Sequence, residues 1–230
     1  MTLNEKQHVV KTFDKDLKNL HNNILDMARA VHRQLDDAGD ALVQLSAETA
    51  EQVMARDALL NTWEKELDAF MELLISRRQP QAIDLRMLLG CYRMTADFER
   101  LGDEIRNAAK GIRKLALPLS DEAKVCAGSL MKVHGLLEVM ADDSVAALET
   151  VDAERARTLV RRREVVQSEV RGMLVETIEK MKSGKIEIDN GLEFIRINRA
   201  FDRVAAHLQN IGEAVVFISE GLDIRHDAAK

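Results

Sequence analysis

Apolar side chains recur every three or four residues along almost the whole chain, and this spacing constrains the fold more than any other feature of the sequence. Near the N-terminus, Phe13, Leu17, Leu20, Ile24 and Met27 fall on one face of a helix. The composition agrees, because only 3% of the 230 residues are aromatic and there are only 11 Gly and 2 Pro. These features are typical of long packed helices and not of sheets.

The ends of the helices can be placed from capping residues and from the two prolines. Ser46, Ser120 and Asp152 are suited to cap helix N-termini, whereas Pro80 and Pro118 cannot continue a helix. We therefore predict six long helices, at about Asn4–Leu45, Ala47–Arg78, Asp84–Leu115, Asp121–Leu148, Ala153–Lys182 and Asp189–Leu222.

The second half of the chain repeats the first. A shift of 103 residues, from 93 to 196, places the third helix on the sixth and pairs identical residues, namely Arg93 with Arg196, Phe98 with Phe201, Arg100 with Arg203 and Asn107 with Asn210. Because each half also shows the same three-helix pattern, we interpret the chain as an internal duplication. The predicted fold is all-α, with two tandem three-helix bundles at residues 1–117 and 118–230.

Two pairs of carboxylates with the same spacing are the main candidates for a functional site. Glu64 and Asp68 form one Glu-x-x-x-Asp pair, and Glu99 and Asp103 form another. A spacing of four places both members of a pair on one helix face. Two such helices side by side offer four oxygen donors, which suits a metal ion or a small metal cluster.

A solvated acidic surface is the alternative interpretation of these pairs, since 31% of the residues are charged. Glu64 argues against it, because it lies in the apolar stripe of its helix between Leu60 and Leu67. Asp57 and Asp97 are weaker candidates for outer positions of the site. The residues do not distinguish iron, manganese, magnesium or zinc, although the lack of adjacent His and Cys disfavours a structural zinc site.

The segment Arg77–Ala109, which includes Gln79-Pro80, Asp84–Arg86 and Glu99–Asp103, closely resembles the PhoU family of phosphate-signalling regulators. The resemblance implies two tandem three-helix bundles that bind metal through paired Glu(Asp)-x-x-x-Asp motifs. It implies a cytoplasmic negative regulator of the phosphate-starvation response, located peripherally at the inner face of the membrane. The implied partners are the ATPase subunit of the phosphate ABC transporter, a sensor histidine kinase and a second copy of the chain in a homodimer.

The second bundle departs from this pattern. The positions equivalent to the four carboxylates are Gln167, Arg171, Asp202 and Ala206. Because one carboxylate of four is left, we predict metal in the first bundle only. We expect Asp202 to pair with Arg171, whose charge would replace that of the lost cation.

Two further features have a functional and a structural interpretation. The basic run Arg161–Arg163 is either a contact for anionic lipid or an acidic partner, or a solvated helix face balanced by nearby glutamates, and we favour the solvated face. His207, next to Ala206, is either a replacement metal ligand or an ordinary helix residue, and we favour the ordinary residue.

The composition and the motifs exclude several classes of protein. The net charge of −6 gives no general attraction to nucleic acid, and the isolated Cys91 and Cys126 are typical of reduced cytosolic thiols. We find no signal peptide, no apolar run of about 20 residues and no motif for nucleophilic catalysis or nucleotide hydrolysis, so we expect no enzyme activity. The remaining alternatives are a carboxylate-bridged dimetal enzyme, although neither Glu64 nor Glu99 is followed three residues later by His, and a metal-free helical adaptor.

Overall fold

Helices account for the fold of the residues that the structure describes. The computed structural model describes the backbone of residues 3–225 and the side chains of residues 12–56 and 59–225. The helices are α1 (Leu3–Gln44), α2 (Ala47–Ala55), α3 (Asp57–Arg78), α4 (Ala82–Arg113), α5 (Asp121–Thr150), α6 (Ala153–Lys182) and α7 (Ile188–Glu220). The predicted all-α fold of two tandem three-helix bundles is confirmed, with α1–α4 in the first bundle and α5–α7 in the second. In the described part of the chain, no helix is long and apolar enough to cross a membrane.

The second of the six long predicted helices is interrupted, so that it forms α2 and α3. The Arg56 N–H donates to the Val53 carbonyl oxygen at 3.4 Å, and the Leu59 N–H donates to the Arg56 carbonyl oxygen at 3.2 Å. Hydrogen bonds between residues three apart tighten the helix at this point. Neither Pro nor Gly occurs there, so the sequence carries no local signal for the interruption.

Most helix ends lie where the capping residues predict. The side chain of Ser46 accepts a hydrogen bond from the first turn of α2, that of Ser120 from α5 and that of Asp152 from α6. Helix α3 ends before Pro80, where Gln79 adopts a left-handed conformation with φ of 49°. These local interactions satisfy backbone groups that helix ends would otherwise leave without partners.

The two bundles pack against each other mainly through their last helices, α4 and α7. Phe98 of α4 and Phe201 of α7 are fully buried, at equivalent positions of the duplication. A Cβ atom at Gly111 would lie 2.6 Å from Cγ1 of Ile197, so glycine allows the close approach of the two helices. The buried apolar residues of both halves form one continuous cluster, and the domain boundary between residues 117 and 118 stays a prediction.

A second contact between the bundles joins α1 to α5 and contains polar groups. The buried His134 of α5 lies with Nε2 2.9 Å from the carbonyl oxygen of Leu35 and 3.2 Å from Glu138. His32 of α1 lies 2.9 Å from the same carboxylate. Burial raises the pKa of Glu138 above its usual range, against the lowering effect of His134 and His32. This polar contact adds direction to the packing of α1 against α5.

Candidate metal centre

The four predicted carboxylates lie on two helices that pack side by side. Glu64 and Asp68 are on α3, and Glu99 and Asp103 are on α4. All four side chains are half-buried. The three residues between α3 and α4 reverse the chain, so the two helices run antiparallel.

A hydrogen bond sets the register of the two helices. The hydroxyl of Thr95 on α4 donates to Asp68 Oδ1 at 3.1 Å, in addition to the carbonyl oxygen of Tyr92 at 2.9 Å. Glu64 lies one turn before Asp68 on α3, and Glu99 lies one turn after Thr95 on α4. Because the helices are antiparallel, Glu64 lies opposite Glu99. Carboxylates from both pairs are therefore brought to neighbouring turns.

The environment of the α3 pair favours a positive charge. Desolvation by burial, followed by the negative charge of Asp68, raises the pKa of Glu64, and the positive charges of Arg100 and Lys65 oppose this effect. Desolvation also raises the pKa of Asp68, against the lowering effect of the Thr95 hydrogen bond. Both carboxylates are thus less stable in their charged form than they would be in water, and a bound cation would offset that cost.

Asp103 lies one turn after Glu99 on α4 and has a different partner. It forms an ion pair of 2.7 Å with Arg106 on its own helix. Within the described side chains, no three His, Cys, Asp or Glu residues are already arranged to hold a metal ion. The oxygen donors of Glu64, Asp68 and Glu99 fit a hard cation in kind, whereas Asp103 would first have to leave Arg106.

The outer candidates do not join the carboxylate pairs. Asp97 faces α7, where it lies 2.9 Å from Nδ1 of His207 and accepts a hydrogen bond from the Asn210 amide at 2.9 Å. His207 therefore takes part in the contact between the two bundles, in agreement with its interpretation as an ordinary helix residue. The side chain of Asp57 lies outside the described residues.

In the second bundle an arginine pairs with the remaining carboxylate, but it is not the expected one. Asp202 pairs with Arg163 at 2.7 Å, so the prediction that it pairs with Arg171 is wrong. Arg163 lies about two turns before Arg171 on α6. Its side chain is 15% exposed, whereas that of Arg171 is exposed. Sequence position could not distinguish the two, because both lie on α6 within reach of α7. Gln167 is exposed, and Ala206 offers no donor.

The basic run on α6 is used within the molecule. Arg162 donates to Asp143 of α5 at 2.6 Å, and Arg163 binds Asp202, while Arg161 contacts the hydroxyl of Thr158. The carboxylates that balance the run are not the neighbouring glutamates of α6 but aspartates on α5 and α7. The run therefore contributes mainly to helix packing.

The sequence interpretation missed a cleft between α4 and α7 that carries four cationic side chains, namely Lys110, Arg196, Arg199 and Arg203. The spacing of the three arginines, at 196, 199 and 203, places them on one face of α7 and could have indicated the cleft.

The fold and the carboxylate pairs define a duplicated helical-bundle protein with a single candidate metal centre. The family model described as PhoU domain matches the chain twice, at residues 24–112 and 130–215. The chain therefore belongs to the PhoU family.

Relatives of known name match over nearly the full length. A phosphate-specific transport system accessory protein PhoU homolog from Burkholderia sp. is 30% identical over 221 residues, which cover 96% of this chain and 94% of the relative. The phosphate-specific transport system accessory protein PhoU of Escherichia coli K12 is 26% identical over 225 residues, covering 98% and 92%.

Solved structures agree with the fold. The phosphate transport system regulatory protein PhoU from Streptococcus pneumoniae superposes with a TM-score of 0.83 at 25% identity, covering 92% of this chain and 98% of that one. PhoU from Pseudomonas aeruginosa superposes with a TM-score of 0.85 at 26% identity, covering 91% and 100%.

Proposed function

We propose that this chain is a negative regulator of phosphate uptake and of the phosphate-starvation response. The observation that carries the proposal is the match of both halves to the PhoU domain, together with full-length relatives named as accessory proteins of the phosphate-specific transport system. A role in protein contact and not in catalysis is part of the proposal, because relatives are named as accessory and regulatory proteins of phosphate transport.

The partners proposed are the ATPase subunit of the phosphate ABC transporter and a membrane-bound sensor histidine kinase. The regulator would act in the cytoplasm, peripherally at the inner face of the membrane, as a homodimer. The names of the relatives support contact with a transport system in general, and the kinase and the dimer follow from the family resemblance. Affinity capture with the tagged chain from membranes of the host would recover both membrane partners, and recovery of neither would contradict this assignment.

We further propose that the first bundle holds a metal ion or small metal cluster through Glu64, Asp68, Glu99 and Asp103. The cation would join α3 to α4 and neutralise carboxylates that burial disfavours as anions. Such a link between two helices would hold a binding surface in one shape. Asp103 would leave Arg106 to bind the cation, so that the Arg106 side chain competes with the metal for this carboxylate.

One observation favours a second candidate function, that of a metal-free helical adaptor. In the described part of the chain the carboxylates do not converge as a three-ligand group, and Asp103 is already paired. Metal analysis of the purified protein distinguishes the two candidates. About one equivalent or more of bound metal per chain supports the metal centre, and a metal-free protein that retains regulation supports the adaptor.

The regulatory function is tested in a host strain that lacks this gene. Alkaline phosphatase activity, a common output of the phosphate-starvation response, would be measured in cells grown in high phosphate. We expect high activity in the deletion strain and low activity after the wild-type gene is restored. Normal repression in the deletion strain would contradict the proposal.

A further inference from the structure

The duplication creates two related clefts along the contact between α4 and α7. The first has a volume of about 470 Å³ and is lined by the cationic side chains Lys110, Arg196, Arg199 and Arg203, with Asn107 and Glu104. The second has a volume of about 140 Å³ and is lined by equivalent positions, including Arg93 for Arg196 and Asn210 for Asn107. The two clefts differ in volume and in charge.

The first cleft has a surplus of positive charge. Arg203 pairs with Glu104 at 2.9 Å, and Arg196 pairs with Glu193 at 3.2 Å. The Lys110 ammonium donates to the side-chain oxygen of Asn107 at 3.4 Å. Among the described residues, neither Lys110 nor Arg199 forms an ion pair with a carboxylate. Four cations therefore face two carboxylates, in a chain whose net charge is −6.

The second cleft has the opposite charge pattern at the same positions. Glu213 stands where the first cleft has Lys110, and Asp97 stands where it has Ala200. The position of Arg199 is taken by Ala96, so one further cation is missing. The duplication has thus kept the arginine and the asparagine of the cleft while it changed the surrounding charges.

The chain places its own carboxylate at the second cleft. After α7 ends, Asp223 lines this cleft, where Arg225 donates to it at 2.8 Å. The hydrogen bond from Arg225, with a smaller contribution from the charge of Arg93, lowers the pKa of Asp223 to about 2. Asp223 therefore stays ionised, and the tail supplies the second cleft with an internal ion pair between Asp223 and Arg225.

The first cleft receives no such group from the chain. The position equivalent to Asp223 is Ser120, which instead caps the N-terminus of α5 by accepting a hydrogen bond from the Ala123 N–H at 3.2 Å. After α4 the chain continues from the first cleft into α5, whereas after α7 the tail returns to the second cleft. The larger, more cationic cleft is consequently open to an anion from outside.

We propose that the first cleft binds a small phosphorylated anion, either inorganic phosphate or a phosphate monoester. A surplus of two positive charges matches a dianion, and guanidinium groups recognise phosphate oxygens with paired hydrogen bonds. Lys110 and Arg199 are the residues with cationic groups not yet paired, so they are the main determinants of affinity. The cleft lies between α4 and α7, whereas the candidate metal centre lies between α3 and α4. The proposal therefore does not depend on the metal centre, and it does not depend on the regulatory function.

Isothermal titration calorimetry of the full-length protein tests this site, with inorganic phosphate and AMP as separate probes at physiological ionic strength. We expect saturable binding of at least one probe with one site per chain. The variants Arg199→Ala and Lys110→Ala should each bind about tenfold more weakly, as expected for loss of a charge-assisted hydrogen bond. Binding of phosphate alone, or of AMP alone, distinguishes the free ion from the ester.

Two further variants separate a site from general electrostatic attraction. Arg171→Ala removes the same charge from an exposed position of α6 and should leave binding unchanged. Glu104→Gln frees Arg203 from its ion pair and should strengthen binding, an effect that a loss of structure would not produce.

Three outcomes would overturn the proposal. These are the absence of saturable binding of either probe at millimolar concentration, an equal loss of affinity in Arg171→Ala, and binding of an acidic peptide by a protein that binds neither probe. The last outcome would assign the cleft to a protein partner.

Discussion

Replacement of Glu64 and Glu99 by glutamine should remove the stabilisation that metal gives to the first bundle. Both side chains are half-buried and lie opposite each other on α3 and α4, in the register set by the Thr95–Asp68 hydrogen bond. Glutamine keeps the shape of each side chain but cannot supply an anionic ligand. The double variant should therefore fold normally and bind metal poorly.

The size of the effect can be bounded from the environment of the pair. In the metal-free protein the repulsion between Glu64 and Asp68 is opposed by Arg100, and pairs at this spacing contribute only about 0.2–0.5 kcal/mol. A metal ion at 100 times its dissociation constant stabilises the folded state by about 2.7 kcal/mol. For a chain of this length that corresponds to a rise in Tm of about 5–10 °C, well above the effect of the substitutions themselves.

The assay is thermal unfolding followed by circular dichroism, with and without Mn²⁺, together with elemental analysis. We expect the rise in Tm and the bound metal in the wild type and neither in the Glu64→Gln/Glu99→Gln variant. Glu66→Gln/Glu169→Gln removes two charges from exposed positions and serves as the matched control. The same metal-dependent rise in Tm in all three proteins would refute the assignment of these ligands.

Three other predictions follow from the structure. Phe201→Ala should lower the free energy of unfolding by about 3–5 kcal/mol in urea titrations, because the ring is fully buried and packs against the ring of His134, and a loss below about 1 kcal/mol would contradict that packing. Cys91, whose pKa burial raises to about 12, should react with a thiol reagent at pH 8 only after the protein is unfolded, and rapid reaction of the folded protein would contradict its burial. Glu64→Gln should stabilise the metal-free protein slightly at neutral pH. Because the folded state holds the Glu64 proton more tightly than the unfolded state, this gain should grow as pH rises above 4.5 and vanish in acid. A loss of stability at neutral pH that vanishes in acid would instead show that the folded protein stabilises the carboxylate as an anion.

The sequence predicts those parts of the fold that depend on local interactions. The bounds of α6 were predicted at Ala153 and Lys182, because Asp152 caps the helix and the Ser-Gly pair at 183–184 ends it. The interruption at Arg56 was not predicted, since no Pro or Gly marks it. Cap and turn residues act within a few positions of the chain, so their effect can be read from the sequence.

Pairings between helices could be predicted less well. The carboxylate spacing indicates which residues share a helix face, but not that Asp202 of α7 selects Arg163 of α6 over Arg171. This choice depends on the register and separation of the two helices. The difference between the two α4–α7 clefts likewise depends on where the chain runs after each helix.

Uptake of labelled phosphate by cells grown in high phosphate tests the proposed function most directly. It would be compared in a strain that lacks this gene and in the same strain carrying the wild-type gene. A negative regulator predicts high uptake in the deletion strain that falls to the normal low rate when the gene is restored. Equal low uptake in the two strains would contradict the proposal that this chain restrains phosphate transport.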